Sequence, residues 1–166
     1  MSAAAGAGPA HRLQLVSIGL DIDAEQLAAE LAPGFGGDPE GAREMLEQTL
    51  DLLTRDPRPD PWGSYLAHAD GETVGICAFK AAPDGEGVVE IAYMTFPAYE
   101  GRGFATAMAA ALVEVADAGG ASMAIAHTLP EENASCRALR RNGFTHAGEV
   151  MDPEDGLVWR WEKPLT

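Results

Sequence analysis

The chain has 166 residues, of which 46% are hydrophobic, and 26 acidic against 11 basic side chains give a net charge of −15. With so few Lys and Arg to replace counterions on phosphates, nucleic acid is not an expected partner, whereas an acidic surface aids solubility and steers cationic acceptors. No run of about 18 apolar residues is present, so no membrane span or membrane partner is expected, and two cysteines, Cys77 and Cys136, are too few for a disulfide framework and lack CxxC spacing for a metal.

Residues 1–10 have neither a basic start nor an apolar stretch, and read as a disordered tail rather than a signal peptide; cytoplasmic residence follows. Residues 11–166 are of a size for one domain. A first strand is expected over 12–19, then a helix over 24–31 capped by Asp23. Segment 33–39, with two prolines and three glycines, reads as a flexible loop without regular structure. Ala42, Met45, Leu46, Thr49, Leu50 and Leu53 recur at helical spacing over 40–54, and Pro57, Pro59 and Pro61 then impose an extended connector. The period next changes to two. Strands over 64–69 and 73–80 meet at Asp70-Gly71, a hairpin signal, and the turn 83–87 leads into a strand over 88–96.

Pro97 and a short glycine turn follow, and an alanine-rich helix runs from 103 to about 118, with Ala105, Met108, Leu112 and Val115 on one stripe. Gly119-Gly120 ends it. An apolar strand over 122–128 precedes a helix that Asn133 starts and Asn142-Gly143 closes. Two last strands, 146–151 and 157–162, place Trp159 and Trp161 on one side, as core residues. The strand–helix–strand unit over 88–128 has the length of a crossover, so its two strands should be parallel neighbours in a mixed sheet with helices on both faces.

The junction at 90–106 is the most informative segment. A helix that opens at a glycine turn aims unpaired N–H groups and the positive end of its dipole at one spot, and glycines leave room for a phosphate to reach them. Glu100-Gly101-Arg102-Gly103-Phe104-Ala105, the strand Glu90-Ile91-Ala92-Tyr93 before it, and the later Asn133 to Gly143-Phe144 helix resemble, in this order, the motifs of the GNAT superfamily of acyl-CoA-dependent N-acyltransferases. The resemblance covers about residues 72 to 145. It implies an α/β (α+β) fold: a mostly antiparallel mixed sheet of six to seven strands, with about four helices on both faces. Two positions depart from the family pattern. Glu100 stands where Gln or Arg usually opens the loop, and Leu139 where many members have a tyrosine that serves as general acid.

The activity implied is transfer of an acetyl group from acetyl-CoA, without a metal, to a primary amine on a small molecule or at a peptide or protein N-terminus. The amine attacks directly in a ternary complex, in a monomer or homodimer. Glu90 is the candidate base that takes the ammonium proton, and main-chain N–H groups near Tyr93 and Met94 are candidates to bind the developing oxyanion. Thr95 is offered as an extra hydroxyl. The amides of Gly101, Arg102, Gly103, Phe104, Ala105 and Thr106 should hold the pyrophosphate. Asn133 and Ser135 are placed near the pantetheine arm, and Arg137 and Arg140 near the 3′-phosphate. His127 and Tyr99 are stand-in acids, while Trp62 and Tyr65 are possible walls of the acceptor pocket. A different class of reading, motivated by Glu100 and Leu139, is a non-catalytic acyl-CoA-binding regulatory module. A third is a nucleotide-binding protein without acyl chemistry.

Overall fold

Where the apolar period is two the chain forms strands, and where it lengthens to 3.6 it forms helices. The computed structural model describes residues 12–166, so the tail expected at 1–10 lies outside the described residues. The elements are β1 (Gln14–Ser17), α1 (Ala24–Leu31), α2 (Pro39–Arg55), β2 (Ser64–Ala69), β3 (Glu72–Phe79), β4 (Val88–Thr95), α3 (Phe104–Ala118), β5 (Met123–Thr128), α4 (Ala134–Arg141), β6 (Thr145–Asp152) and β7 (Gly156–Pro164). The seven strands form one sheet in the order β1-β2-β3-β4-β5-β7-β6. Every neighbouring pair is antiparallel except β4 and β5, the parallel pair anticipated from the crossover length.

Strand alternation sets the helices on opposite faces. A side chain at Gly75 of β3 would meet Met108 of α3. On the other face Ile76 and Ala78 line a cleft with Thr49 and Leu52 of α2. Trp161, Phe79, Phe96, Leu46, Met108, Leu112 and Leu139 are the largest fully buried side chains. Trp161 satisfies its indole N–H by donating to Thr128 Oγ1 at 3.0 Å. Cys77 and Cys136 are both buried and free, as packing residues should be. Burial pushes the Cys77 thiol up to about 12.

The segment 33–39 is more ordered than its composition suggests. Ala32–Phe35 forms a 3-10 turn closed by Gly36 at φ 71°, and Pro39 is the first residue of α2. A proline at that position costs the helix nothing, since its missing N–H would have had no partner, and Asp38 caps the helix by accepting from the Glu40 amide at 2.9 Å. A second 3-10 turn, Pro97–Tyr99, lies between β4 and the glycines.

One irregularity of the sheet creates the site. β4 pairs with β5 only over Val88–Glu90 and Met123–Ile125. Beyond Glu90 the two strands part, although β4 runs on to Thr95 and β5 to Thr128.

Candidate active site

Backbone parity decides which groups face the gap between β4 and β5. Glu90 O accepts from the Lys80 amide, and the Phe96 amide donates to Val74 O, both at 2.9 Å. Even-numbered residues of β4 therefore turn their backbone polar groups toward β3. The amides of Tyr93 and Thr95 turn the other way, into the gap. Met94, expected to offer its amide, is directed by this ladder at β3 instead; its side chain, 43% exposed, forms wall on both sides of the strand.

On the α3–α4 face the gap opens into a cavity of about 600 Å³, lined by Tyr93, Met94 and Thr95, by Glu100, Gly101 and Gly103 to Thr106, and by α4 from Ala134 to Arg141. Gly101 and Gly103 have φ of 78° and 86°, a left-handed conformation open to glycine at no steric cost. Gly103 occupies the cap position of α3 with no side-chain cap, so the first-turn amides of a 15-residue helix point at the cavity. A Cβ at Gly101 would meet nothing within 4 Å, which leaves the turn approachable. Arg137 and Arg141 line the opposite wall, and Glu100 is the one carboxylate among the lining residues. In a chain of charge −15, two guanidiniums facing exposed amides make a site for an anion the size of a diphosphate, and the cavity fits the coenzyme A implied by the resemblance. Asn142 joins the two walls: its side chain donates to Thr106 O at 3.0 Å.

On the opposite face Glu90 Oε2 lies 2.8 Å from His127 Nδ1 and 3.3 Å from Lys80 Nζ. These three side chains line a recess of about 110 Å³ together with Tyr93 and Ser135, both of which also line the larger cavity. Beside it lies an apolar cleft of about 210 Å³ between α2 and the middle of β3 and β4. The parting of β4 and β5 thus brings an anion cradle and a carboxylate–imidazole pair to either side of Tyr93.

Of the expected site residues, Tyr93, Met94, Thr95, Gly101, Gly103, Phe104, Ala105, Thr106 and Ser135 meet in the large cavity. Arg102 and Asn133 do not line it. The Arg102 guanidinium sits over the Tyr99 and Phe104 rings at 5.4 and 5.5 Å, and Asn133 caps α4 by accepting from the Cys136 amide at 3.1 Å. Arg140 is turned away from the cavity, in a bidentate pair with Glu132 at 2.7 and 2.6 Å. Tyr99 donates to Glu72 at 3.1 Å. Leu139 is fully buried, so that position supplies no hydroxyl. Burial raises the Tyr93 hydroxyl above its ordinary range, and it donates to Ser135 O at 3.4 Å. Trp62 packs edge-on against Phe79, and Tyr65 lies opposite Cys77 on the α3 side of the sheet; neither lines the cleft that was to be their pocket. Arg141 and the walls on α2 went unseen in the sequence: an exposed arginine is ordinary on a helix, Thr49 sits on the stripe that reads as core, and Leu52 lies outside that stripe.

The acetyltransferase (GNAT) domain family matches residues 12–145. The structure of RimL, a ribosomal L7/L12 alpha-N-protein acetyltransferase in complex with coenzyme A, aligns with a TM-score of 0.67 at 18% identity, over 93% of this chain and 94% of that one. The microcin C7 self-immunity acetyltransferase MccE, in complex with acetyl-CoA and AMP, gives 0.68 at 16% identity, over 93% of each chain. A chimera of spermidine N-acetyltransferase SpeG from Vibrio cholerae and hSSAT gives 0.69 at 13% identity, over 92% and 95%. At these identities the likeness is one of fold. No curated protein matches the chain.

Proposed function

The chain belongs to the GNAT acetyltransferase family, with acetyl-CoA as co-substrate, and from that premise we propose that it acetylates a primary amine by direct attack within a ternary complex. The observation that carries this reading is the parting of β4 and β5, which leaves the Tyr93 and Thr95 amides facing a gap between the anion cradle and Glu90.

Acetyl-CoA supplies an acyl carbon activated as a thioester. The first-turn amides of α3, with Arg137 and Arg141, hold its diphosphate. Ser135 and the β4 backbone guide the pantetheine arm toward Tyr93. An alkyl ammonium, with a pKa near 10.4, enters from the other face and passes its proton to Glu90, directly or through water. His127 fixes the carboxylate from 2.8 Å. As the N–C bond forms and the C–S bond breaks, the Tyr93 amide donates to the carbonyl oxygen that gains negative charge, and the second proton of the attacking nitrogen passes to water. A thiol of pKa about 8.5 leaves as thiolate without a general acid, so Leu139 is no obstacle. The domain, residues 11–166, works in the cytoplasm, a compartment that suits two free buried cysteines.

The test is release of coenzyme A from acetyl-CoA on incubation with a panel of amines and peptides. Glu90→Gln should lower kcat at least about 100-fold, the scale of general-base catalysis, while acetyl-CoA affinity by calorimetry stays within a factor of two or so. Glu100, a carboxylate in the lining of the anion cradle, favours a second reading, an acyl-CoA-binding regulatory module. Tight binding with no turnover of any acceptor would select it.

A further inference from the structure

The cleft beside Glu90 has a specific chemistry. Three cross-strand pairs follow one another on the α2 face of β3 and β4. Lys80 and Glu90 form the first, Ala78 and Ala92 the second, and Ile76 and Met94 the third. Two alanines side by side in the middle of a sheet leave a hole that larger residues would fill. Leu52 and Thr49 of α2 roof the hole without filling it, and the result is the cleft of about 210 Å³. Thr49 spends its hydroxyl on Met45 O at 3.0 Å. The carboxylate lies at one end only, about 6.6 Å along the strand from the alanine pair at 3.3 Å per residue.

We propose that this cleft selects the acceptor: a monoamine that carries an apolar group of about phenyl or branched-alkyl size, close to the attacking nitrogen. This rests on the acetyltransferase reading of the same site. Glu90 holds the single cation, while the apolar substituent lies over Ala78 and Ala92, against Leu52, Ile76 and Met94. The volume exceeds the roughly 150 Å³ that suffices for benzene in an apolar cavity. Ser64 brings a further hydroxyl to the lining, a single neutral group that cannot replace the water around a second ammonium of a polyamine or around the several hydroxyls of a sugar amine. The apolar group can belong to a free arylalkyl amine or to the first side chain of a peptide N-terminus. Both present the same chemistry.

The experiment compares phenethylamine, ethylamine, spermidine, and two peptides that differ only in beginning with Leu or Gly. Each is measured for turnover with acetyl-CoA and, separately, for binding to the coenzyme A complex by calorimetry. The expected kcat/KM for phenethylamine, or for the Leu-led peptide, exceeds that of ethylamine or the Gly-led peptide at least about tenfold, the worth of a well-filled apolar pocket. Preference within the amine pair alone assigns a free amine, preference within the peptide pair alone assigns an N-terminus, and both outcomes support the cleft. Ala92→Leu fills the hole and Leu52→Asp makes it polar. Either should collapse the preference to about twofold, with a coenzyme A titration to show that the variant is folded. Preference for spermidine or ethylamine, or an unchanged preference in both variants, would overturn the proposal. If phenethylamine binds tightly and is never acetylated, the cleft stands and the enzymatic reading fails.

Discussion

Gly101 and Tyr93 show how much a single position contributes through its backbone. Gly101 sits at φ 78° with open space where a Cβ would be. Gly101→Ala should therefore cost only the left-handed strain of about 1 kcal/mol, read as a small drop in Tm. Coenzyme A affinity should fall further, at least about tenfold or 1.4 kcal/mol, because the added methyl stands where the phosphates approach. Calorimetry and thermal unfolding on one preparation separate the two effects. Tyr93 makes the opposite case. Its amide, not its hydroxyl, faces the gap between β4 and β5, and the hydroxyl makes a single long bond of 3.4 Å. Tyr93→Phe should keep kcat within about fivefold of the parent, well short of the 10²–10⁴ that a proton-transfer role would forfeit. The glycines were legible in the sequence because no other residue tolerates such a turn cheaply. The pairing of Glu90 with His127 was not, since 37 residues separate them and β5 had to be laid beside β4 first.

At the scale of elements, the turn before β4 has a measurable pH signature. Asp84 accepts from the Glu86 and Val88 amides at 2.9 and 3.0 Å, and these bonds, that from Val88 foremost, hold its carboxyl below the ordinary 3.8. A depressed carboxyl favours the folded state fully above its unfolded-state pKa and loses that advantage as pH falls through the folded value. Asp84→Ala should thus lower Tm at pH 7, and the gap between variant and parent should narrow as pH falls below 3.8, as thermal unfolding across that range would show. Caps of this kind were readable: Asp23 accepts from Gln26 at 3.2 Å, as its place before α1 suggested. The order concealed in 33–39 was harder to see, because prolines and glycines that break helices also start and stop them. The sequence likewise showed Trp62 and Tyr65 near an expected pocket without showing the faces to which strand alternation would assign them.

At the scale of the molecule, the α3–α4 side was far more legible than the acceptor side. An anion cradle is local, written in about six consecutive residues. The cleft is assembled from α2, β3 and β4, and is made by what two alanines lack. A site that is preformed on one face should respond to its ligand by mass action alone. Acetyl-CoA at about 100 times its Kd adds about 2.7 kcal/mol to stability, which for a domain of this size raises Tm by about 5–10 °C; a scan with and without acetyl-CoA measures it, and Gly101→Ala should reduce the rise. Among the described residues no helix is long and apolar enough to cross a membrane. The parting of β4 from β5 has one more consequence. If the amine enters from the face opposite the coenzyme, as proposed, spent thiol need not leave before a fresh amine enters. A dead-end pair of coenzyme A and amine then accumulates when the acceptor is abundant, and initial rates should pass through a maximum and fall as amine concentration rises.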